Sequence, residues 1–335
     1  MRRYPGFWYN EYVTFICLFD STMNNMNHLK VYLLAFLVSV MLLVAMTVHA
    51  QSLTVGSYNI RYDNKGDRQN GNGWPQRLPV ITSIVKNVDF DVFGAQEVLH
   101  HQLLQLDSLI GDTYGYVGVG RDDGRTKGEY APIFYKKERF DAVSNGVFWL
   151  SDTPDEPSKG WDAALPRICT WLQLEDNSSK KRFWYFNLHM DHVGVKAREE
   201  SCKLVLKKIQ KMVKSDEIAI LTGDFNVDQE NPMYQILVGS SQLRDSYVVA
   251  DYRYAWNGTF NAFDANLFTN SRIDHVFVTP NVQVDKYAVL TDTYRSPKGE
   301  EKEIKKGDFP KELSFKDYLV RMPSDHFPVV VDLRF

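Results

Sequence analysis

Cysteine is scarce, with three in 335 residues and no paired spacing among them. That excludes a disulfide-stapled scaffold and a thiolate zinc site, and no HExxH stretch supplies a histidine one. Neither charge sign dominates: 39 Lys+Arg stand against 42 Asp+Glu, a net charge of −3. Such a balance argues against a broad electrostatic grip on long nucleic acid, though it leaves room for a local basic pocket. Repeats, low-complexity tracts and Pro/Gly linkers are missing after residue 51. One domain spanning residues 51–335 is therefore expected. The 44% hydrophobic and 13% aromatic content is that of a globular protein, which excludes disorder and collagen.

One long apolar run is present, 18 uncharged residues at 31–48. Lys30 precedes it, Val48-His49-Ala50 resembles a small-residue cleavage site, and Gln51 opens a strand-like segment. Residues 1–50 are expected to be an N-terminal extension and signal peptide, the alternative being a retained membrane anchor at 31–48. Met23 or Met26 is the expected true start. On either reading the domain is exported, periplasmic or secreted, and a membrane is a partner only if the segment is retained. After processing, 36 basic residues face 40 acidic ones, and Cys169 and Cys202 remain as two buried free thiols.

Segments rich in β-branched and aromatic residues predict strands at 52–60, 90–98, 131–135, 147–150, 169–175, 182–189, 218–226, 272–279 and 327–335. Helical spacing of Leu78, Ile81, Ile84, Val85 and Val88 predicts a helix opening near Trp74-Pro75, and a second is expected over 195–214. The strands at 182–189 and 218–226 flank that second helix, so they should run parallel and bring their polar ends to one sheet edge.

Those ends carry the chemistry. Asn59, Glu97, His189, Asp224, Asn226, Asp274, His275, Asp325 and His326 all lie at the termini of apolar strands. Carboxylates in apolar surroundings are costly unless they meet a cation or a donor. Oxygen ligands without thiolates suit Mg²⁺, Mn²⁺ or Ca²⁺ rather than zinc. His275 directly follows Asp274, so on a strand it faces the other side and is structural.

Ser57-Tyr58-Asn59-Ile60, Gln96-Glu97-Val98, Asn187-Leu188-His189, Gly223-Asp224-Phe225-Asn226, Ile273-Asp274-His275-Val276 and Ser324-Asp325-His326-Phe327-Pro328-Val329 resemble, in order, the motif set of the endonuclease/exonuclease/phosphatase family. The resemblance implies an α/β fold of the deoxyribonuclease I type, a four-layer sandwich of two mixed sheets packed face to face with helices outside. It implies a metal site of Asn59, Glu97 and Asp325, a catalytic group of His189, Asp224, Asn226, Asp274 and His326, and phosphate contacts from Arg167, Asn226 and His189. Glu129 and Asp274 would orient His189 and His326. Either His326 or Asp224 would take the attacking water's proton. Arg61 stands two residues after Asn59, where apurinic-site endonucleases tend to carry an acid, and His189 stands where they lack a His; DNA repair is disfavoured.

The expected function is divalent-metal-dependent hydrolysis of phosphoric esters, foremost by a phosphodiesterase or nuclease acting on RNA or DNA ends. A phosphomonoesterase for a nucleotide, sugar phosphate or lipid headgroup is the alternative, and a non-catalytic binding module is the reading from another class. No stable protein partner is implied. The glycine- and tryptophan-containing stretch 160–166 and the highly charged stretch 295–318 carry no assigned role beyond loops.

Overall fold

The computed structural model describes Lys30 and residues 32–36, 51–299, 303–304, 307–308, 310 and 312–335. The chain divides into Met1–Ala50 and Gln51–Phe335. In the first unit only Lys30 and residues 32–36 are described, all helical, so the expected export segment and its cleavage site lie outside the described residues. Among the described residues no helix is long and apolar enough to cross a membrane.

The domain begins with β1 (Ser52–Asn59), α1 (Lys65–Gln69), α2 (Trp74–Val88), β2 (Val92–Gln96), α3 (His100–Ile110), β3 (Tyr114–Val117), β4 (Ile133–Lys136), β5 (Phe140–Trp149) and β6 (Ile168–Asp176). There follow β7 (Arg182–His189), α4 (Val195–Met212), β8 (Ile218–Asp224), α5 (Pro232–Val238), β9 (Arg244–Asp245), α6 (Ser246–Val249), β10 (Tyr252–Tyr254), β11 (Asp274–Val278) and β12 (Gln283–Val289). The described part of the charged stretch and its flanks pair as β13 (Tyr294–Pro297) with β16 (Tyr318–Arg321) and β14 (Glu303–Ile304) with β15 (Phe315–Lys316), before β17 (Val329–Arg334).

Two sheets result, one of seven strands ordered β10-β12-β17-β1-β2-β4-β3 and one of six ordered β5-β6-β7-β8-β11-β9. Leu53, Val55, Val92 and Val331 of the first share a core with Leu172, Phe183, Tyr185 and Ile220 of the second. On the outer face of the first sheet, Ile81 and Val85 of α2 and Leu103 and Leu106 of α3 pack on Tyr58 and Phe93. On the other side, Cys202, Val205 and Ile209 of α4 meet Phe186, Leu188 and Leu221. This is the four-layer sandwich expected from the motifs.

Side-chain hydrogen bonds tie the two sheets together between β2 and β7. Gln96 donates to Asn187 Oδ1 (2.6 Å), and Asn187 donates to the Ala95 and Pro132 carbonyls (2.8 and 3.0 Å). Only glycine fits at 94 beneath this staple, since a Cβ there would lie 2.2 Å from Asn187 Oδ1. Among the described residues the two cysteines, Cys169 and Cys202, are buried free thiols.

Candidate active site

Two parallel pairings set the site. β1 and β2 run in register Asn59↔Gln96, and β7 and β8 in register His189↔Asp224. β11 lies antiparallel to β8 with Asp274 opposite Asp224. Asp325 and His326 enter just before β17, with His326 bridged to Phe260. The strand ends of both sheets thus reach one cleft of about 330 Å³.

Asn59 joins the two halves. Its Nδ2 lies 3.0 Å from Glu97 Oε1, 3.0 Å from Asp224 Oδ2 and 3.4 Å from His326 Nε2, while its Oδ1 accepts from the Arg61 N–H. Arg61, Glu97 and Asn226 all adopt left-handed backbone angles (φ 58°, 60° and 51°). Each such conformation costs about 1–3 kcal/mol, and all three of these side chains line the cleft.

His326 and Asp274 form the expected pair, Nδ1 donating to Oδ2 at 2.9 Å, with both residues buried. Burial opposes a charged imidazole, but the Asp274 and then the Asp224 carboxylates outweigh it and hold His326 well above its ordinary value. Asp224 is pushed up to about 7, first by burial and then by Asp274. Its Oδ2 is 3.7 Å from His326 Nε2 and 3.6 Å from His189 Nε2.

His189 behaves in the opposite sense. Burial, then Arg167 and Arg121, hold it well below its ordinary value, so the ring is neutral. Arg167 donates to Nε2 at 3.0 Å, which leaves the ring proton on Nδ1, 3.7 Å from Glu129 Oε2. Arg167 is fixed on its other sides by Asp191 (3.3 Å) and His192 Nδ1 (3.0 Å). Asp191 and His192, given no role by the sequence, thus orient the arginine expected to hold phosphate. Asn226 lines the cleft, with its amide donating to the Met190 carbonyl (3.0 Å) and its N–H to Asp224 Oδ1 (2.9 Å). His275 sits away from the cleft, hydrogen-bonded to the Val227 carbonyl and packed against Phe225 and Tyr234, as expected for a structural residue.

The acids fit a hard dication. Glu97 and Asp325 are buried, and their carboxylates reach the same Arg61 nitrogen, at 3.8 and 3.3 Å. Burial, with Glu97 adding to it, raises the Asp325 carboxyl against the lowering pull of His326, Arg61 and Arg77. Glu97, His189 and Asp224 also present ligand atoms within 4.8 Å of one another. Buried oxygen donors gathered in this way suit Mg²⁺ or Mn²⁺.

Three arginines escaped the sequence reading as site residues. Arg121 clamps Glu129 through two bonds (2.6 and 3.0 Å), and Arg61 supplies the cation between Glu97 and Asp325. Arg77, fully buried, donates to the carbonyls of Ile60, Arg61, Asn72 and Pro323 and so ties the exit of β1 to the segment leading to Asp325. Its one sequence signal is an arginine at helical spacing between Trp74 and Ile81 on the inner face of α2.

Comparison with known proteins agrees with this geometry. An endonuclease/exonuclease/phosphatase family protein of Bacteroides thetaiotaomicron is 51% identical, with a TM-score of 0.79 over 86% of this chain and 99% of that one. The mannosyl-6-phosphatase of the same organism is also 51% identical, with a TM-score of 0.77 over 84% of this chain and 100% of that one. An uncharacterized protein of Acanthamoeba polyphaga mimivirus is 31% identical over 163 residues, which is 47% of this chain and 60% of that protein. This chain therefore spans less than two thirds of that viral relative. The sequence model of the Endonuclease/Exonuclease/phosphatase family matches residues 56–326, from β1 through His326, and the chain belongs to this family of divalent-metal-dependent phosphoric ester hydrolases.

Proposed function

We propose that this chain is a metal-dependent phosphomonoesterase for a phosphorylated sugar. The observation that carries the reading is the 51% identity to a mannosyl-6-phosphatase matched over its full length. The cleft supports it: 330 Å³ is at the small end of ligand sites, which run roughly 300–1,000 Å³. Its arginines, Arg61 and Arg167, are gathered within the cleft rather than spread along a groove. A nuclease, which the motifs alone place first, needs several cations along a strand.

Glu97, with Asn59 and Asp325, would hold the dication, which when bound supplies positive charge to the phosphoryl and leaving oxygens. Arg167, whose terminal nitrogens each keep a second N–H beyond their His189 and His192 contacts, binds phosphate. Asp224, poised near neutrality, takes the proton of the attacking water. His326, kept charged by Asp274, donates to a phosphoryl oxygen; Asn226 braces the Asp224 loop.

The test is phosphate release from mannose 6-phosphate beside cleavage of bis(p-nitrophenyl) phosphate, RNA and DNA, with Mg²⁺ or Mn²⁺ and a chelator control. The monoester should be preferred by at least about tenfold in kcat/KM, with His326→Ala and Glu97→Ala near background. Preference for a diester or for nucleic acid would overturn the substrate assignment. Residues 1–50 serve in this proposal as an export address, which N-terminal sequencing of extracytoplasmic protein checks by a start at Gln51.

A further inference from the structure

Beside the cleft lies a surface with no assigned role. Phe260 lines the cleft and sets its ring edge-on against the His326 imidazole, centroids 5.0 Å apart. Around it in sequence stand exposed apolar side chains: Trp256 (81% exposed), Leu267 (59%), Phe268 (65%) and Phe260 itself (40%). Exposed aromatics of this size are unfavourable in water unless something covers them.

The segment is anchored to the site. Thr259 Oγ1 accepts from the N–H groups of Ile273 and Asp274, and the Phe327 N–H donates to the Thr259 carbonyl at 2.7 Å. Asn261 donates through its N–H to the Asp325 carbonyl and through Nδ2 to that of Ser324. The Gly258 N–H meets the Thr269 carbonyl, which places Phe268 on the arm opposite Trp256. The two arms lie so close that a Cβ at Gly258 would be 2.1 Å from the Ser271 carbonyl. Phe260 lies four positions after Trp256, so their Cα atoms lie within about 14 Å of each other, at 3.3–3.6 Å per residue.

Composition then selects the occupant. Between Ala255 and Ser271 there is neither Lys nor Arg, and the only charge is Asp264. The flanking arginines are engaged, Arg253 with backbone carbonyls and Arg272 with Asp245. A single-stranded nucleic acid stacked on such rings would find no cation for its phosphates. Aromatics interspersed with exposed or partly exposed amides (Asn257, Asn266, Asn270) suit a neutral polyhydroxylated ligand, whose C–H faces pack on rings while its hydroxyls bond to amides.

We infer that the 255–271 segment is a glycan-binding platform continuous with the catalytic cleft, so that the substrate is a sugar phosphate carried on an oligosaccharide rather than a free one. This rests on the sugar-phosphatase reading. Phe260 contacts the phosphorylated residue, and Trp256 and Phe268 contact sugars further along the chain.

The experiment uses the full chain, Trp256→Ala and Phe268→Ala. It compares kcat/KM for mannose 6-phosphate with that for a mannooligosaccharide phosphorylated at its terminal residue. Wild type should favour the oligosaccharide, and each substitution should lower that preference by about threefold to tenfold, the range of one aromatic contact. Isothermal titration with unphosphorylated mannooligosaccharide and with a single-stranded DNA oligomer reads the platform without catalysis. Equal preference in wild type and both variants, or DNA binding that both variants abolish, would overturn the inference. Absence of phosphate release from any sugar ester would instead sink the functional reading, while glycan titration still decides the platform.

Discussion

Replacing Asp274 by asparagine isolates the electrostatic contribution of the His326 pair. At 2.9 Å, and an effective dielectric of about 20, the attraction between a carboxylate and an imidazolium is about 6 kcal/mol. Desolvation offsets part of that attraction, and removing one charge of a buried pair costs about 3–5 kcal/mol, so the amide forfeits about 3 kcal/mol. That corresponds to about two pKa units on His326 and about a hundredfold in kcat, if the charged imidazole serves the reaction. The sign follows from the direction of the shift: His326 is held up in the wild type, so its charged form persists to high pH, and Asp274→Asn moves the alkaline fall of kcat downward by those two units. Steady-state phosphate release with saturating Mn²⁺ across pH 5–10 measures both quantities, and thermal melts confirm that the variant is folded. A kcat within about threefold of wild type with an unmoved alkaline limb would refute the role given to the pair.

The other predictions concern the metal, the base and the frame. Glu97→Gln should weaken Mn²⁺ binding at least about a hundredfold in isothermal titration, and unchanged affinity would remove Glu97 from the metal site. The ionised form of Asp224 is the active one, so kcat should rise with pH through about 7, and a bound cation should move that limb lower; a flat acid profile would contradict its assignment as base. Arg77→Met removes a donor from four carbonyls, of which that of Arg61 keeps Gln102, and should cost about 3 kcal/mol, seen as a drop in Tm of roughly 8 °C. A melt unchanged by that substitution would mean the carbonyls find other partners.

The strands that frame the site were legible because their central positions are uniformly apolar and their ends abruptly polar. β7 and β8, buried along nearly their whole length, show this most clearly. β12 was missed because a register shift between Val284 and Lys286 breaks its alternation. Only the end of β5 was foreseen, since its first half lies at a sheet edge and carries exposed, partly polar residues. α3 reads HHQLLQLDSLI, too polar at its start to announce a helix, yet Leu103, Leu106 and Ile110 face the core. Within the site, motif spacing located the carboxylates and histidines. It gave no site role to Arg61, Arg77 or Arg121, because an arginine's reach carries its charge to carbonyls and acids that no motif spacing pairs with it.

The bond from Asn59 to Asp224, with His326 beside both, has a consequence for how the protein comes into being. The cleft needs side chains from the first strand, from the middle of the chain and from the turn before the last, and β17 docks between β1 and β12. A growing chain that has not yet released its C-terminal strand holds only scattered acids and no assembled centre. The centre is therefore assembled only once the segment carrying Asp325 and His326 has joined it, and a chain truncated before His326 should be inert even where its N-terminal strands have formed.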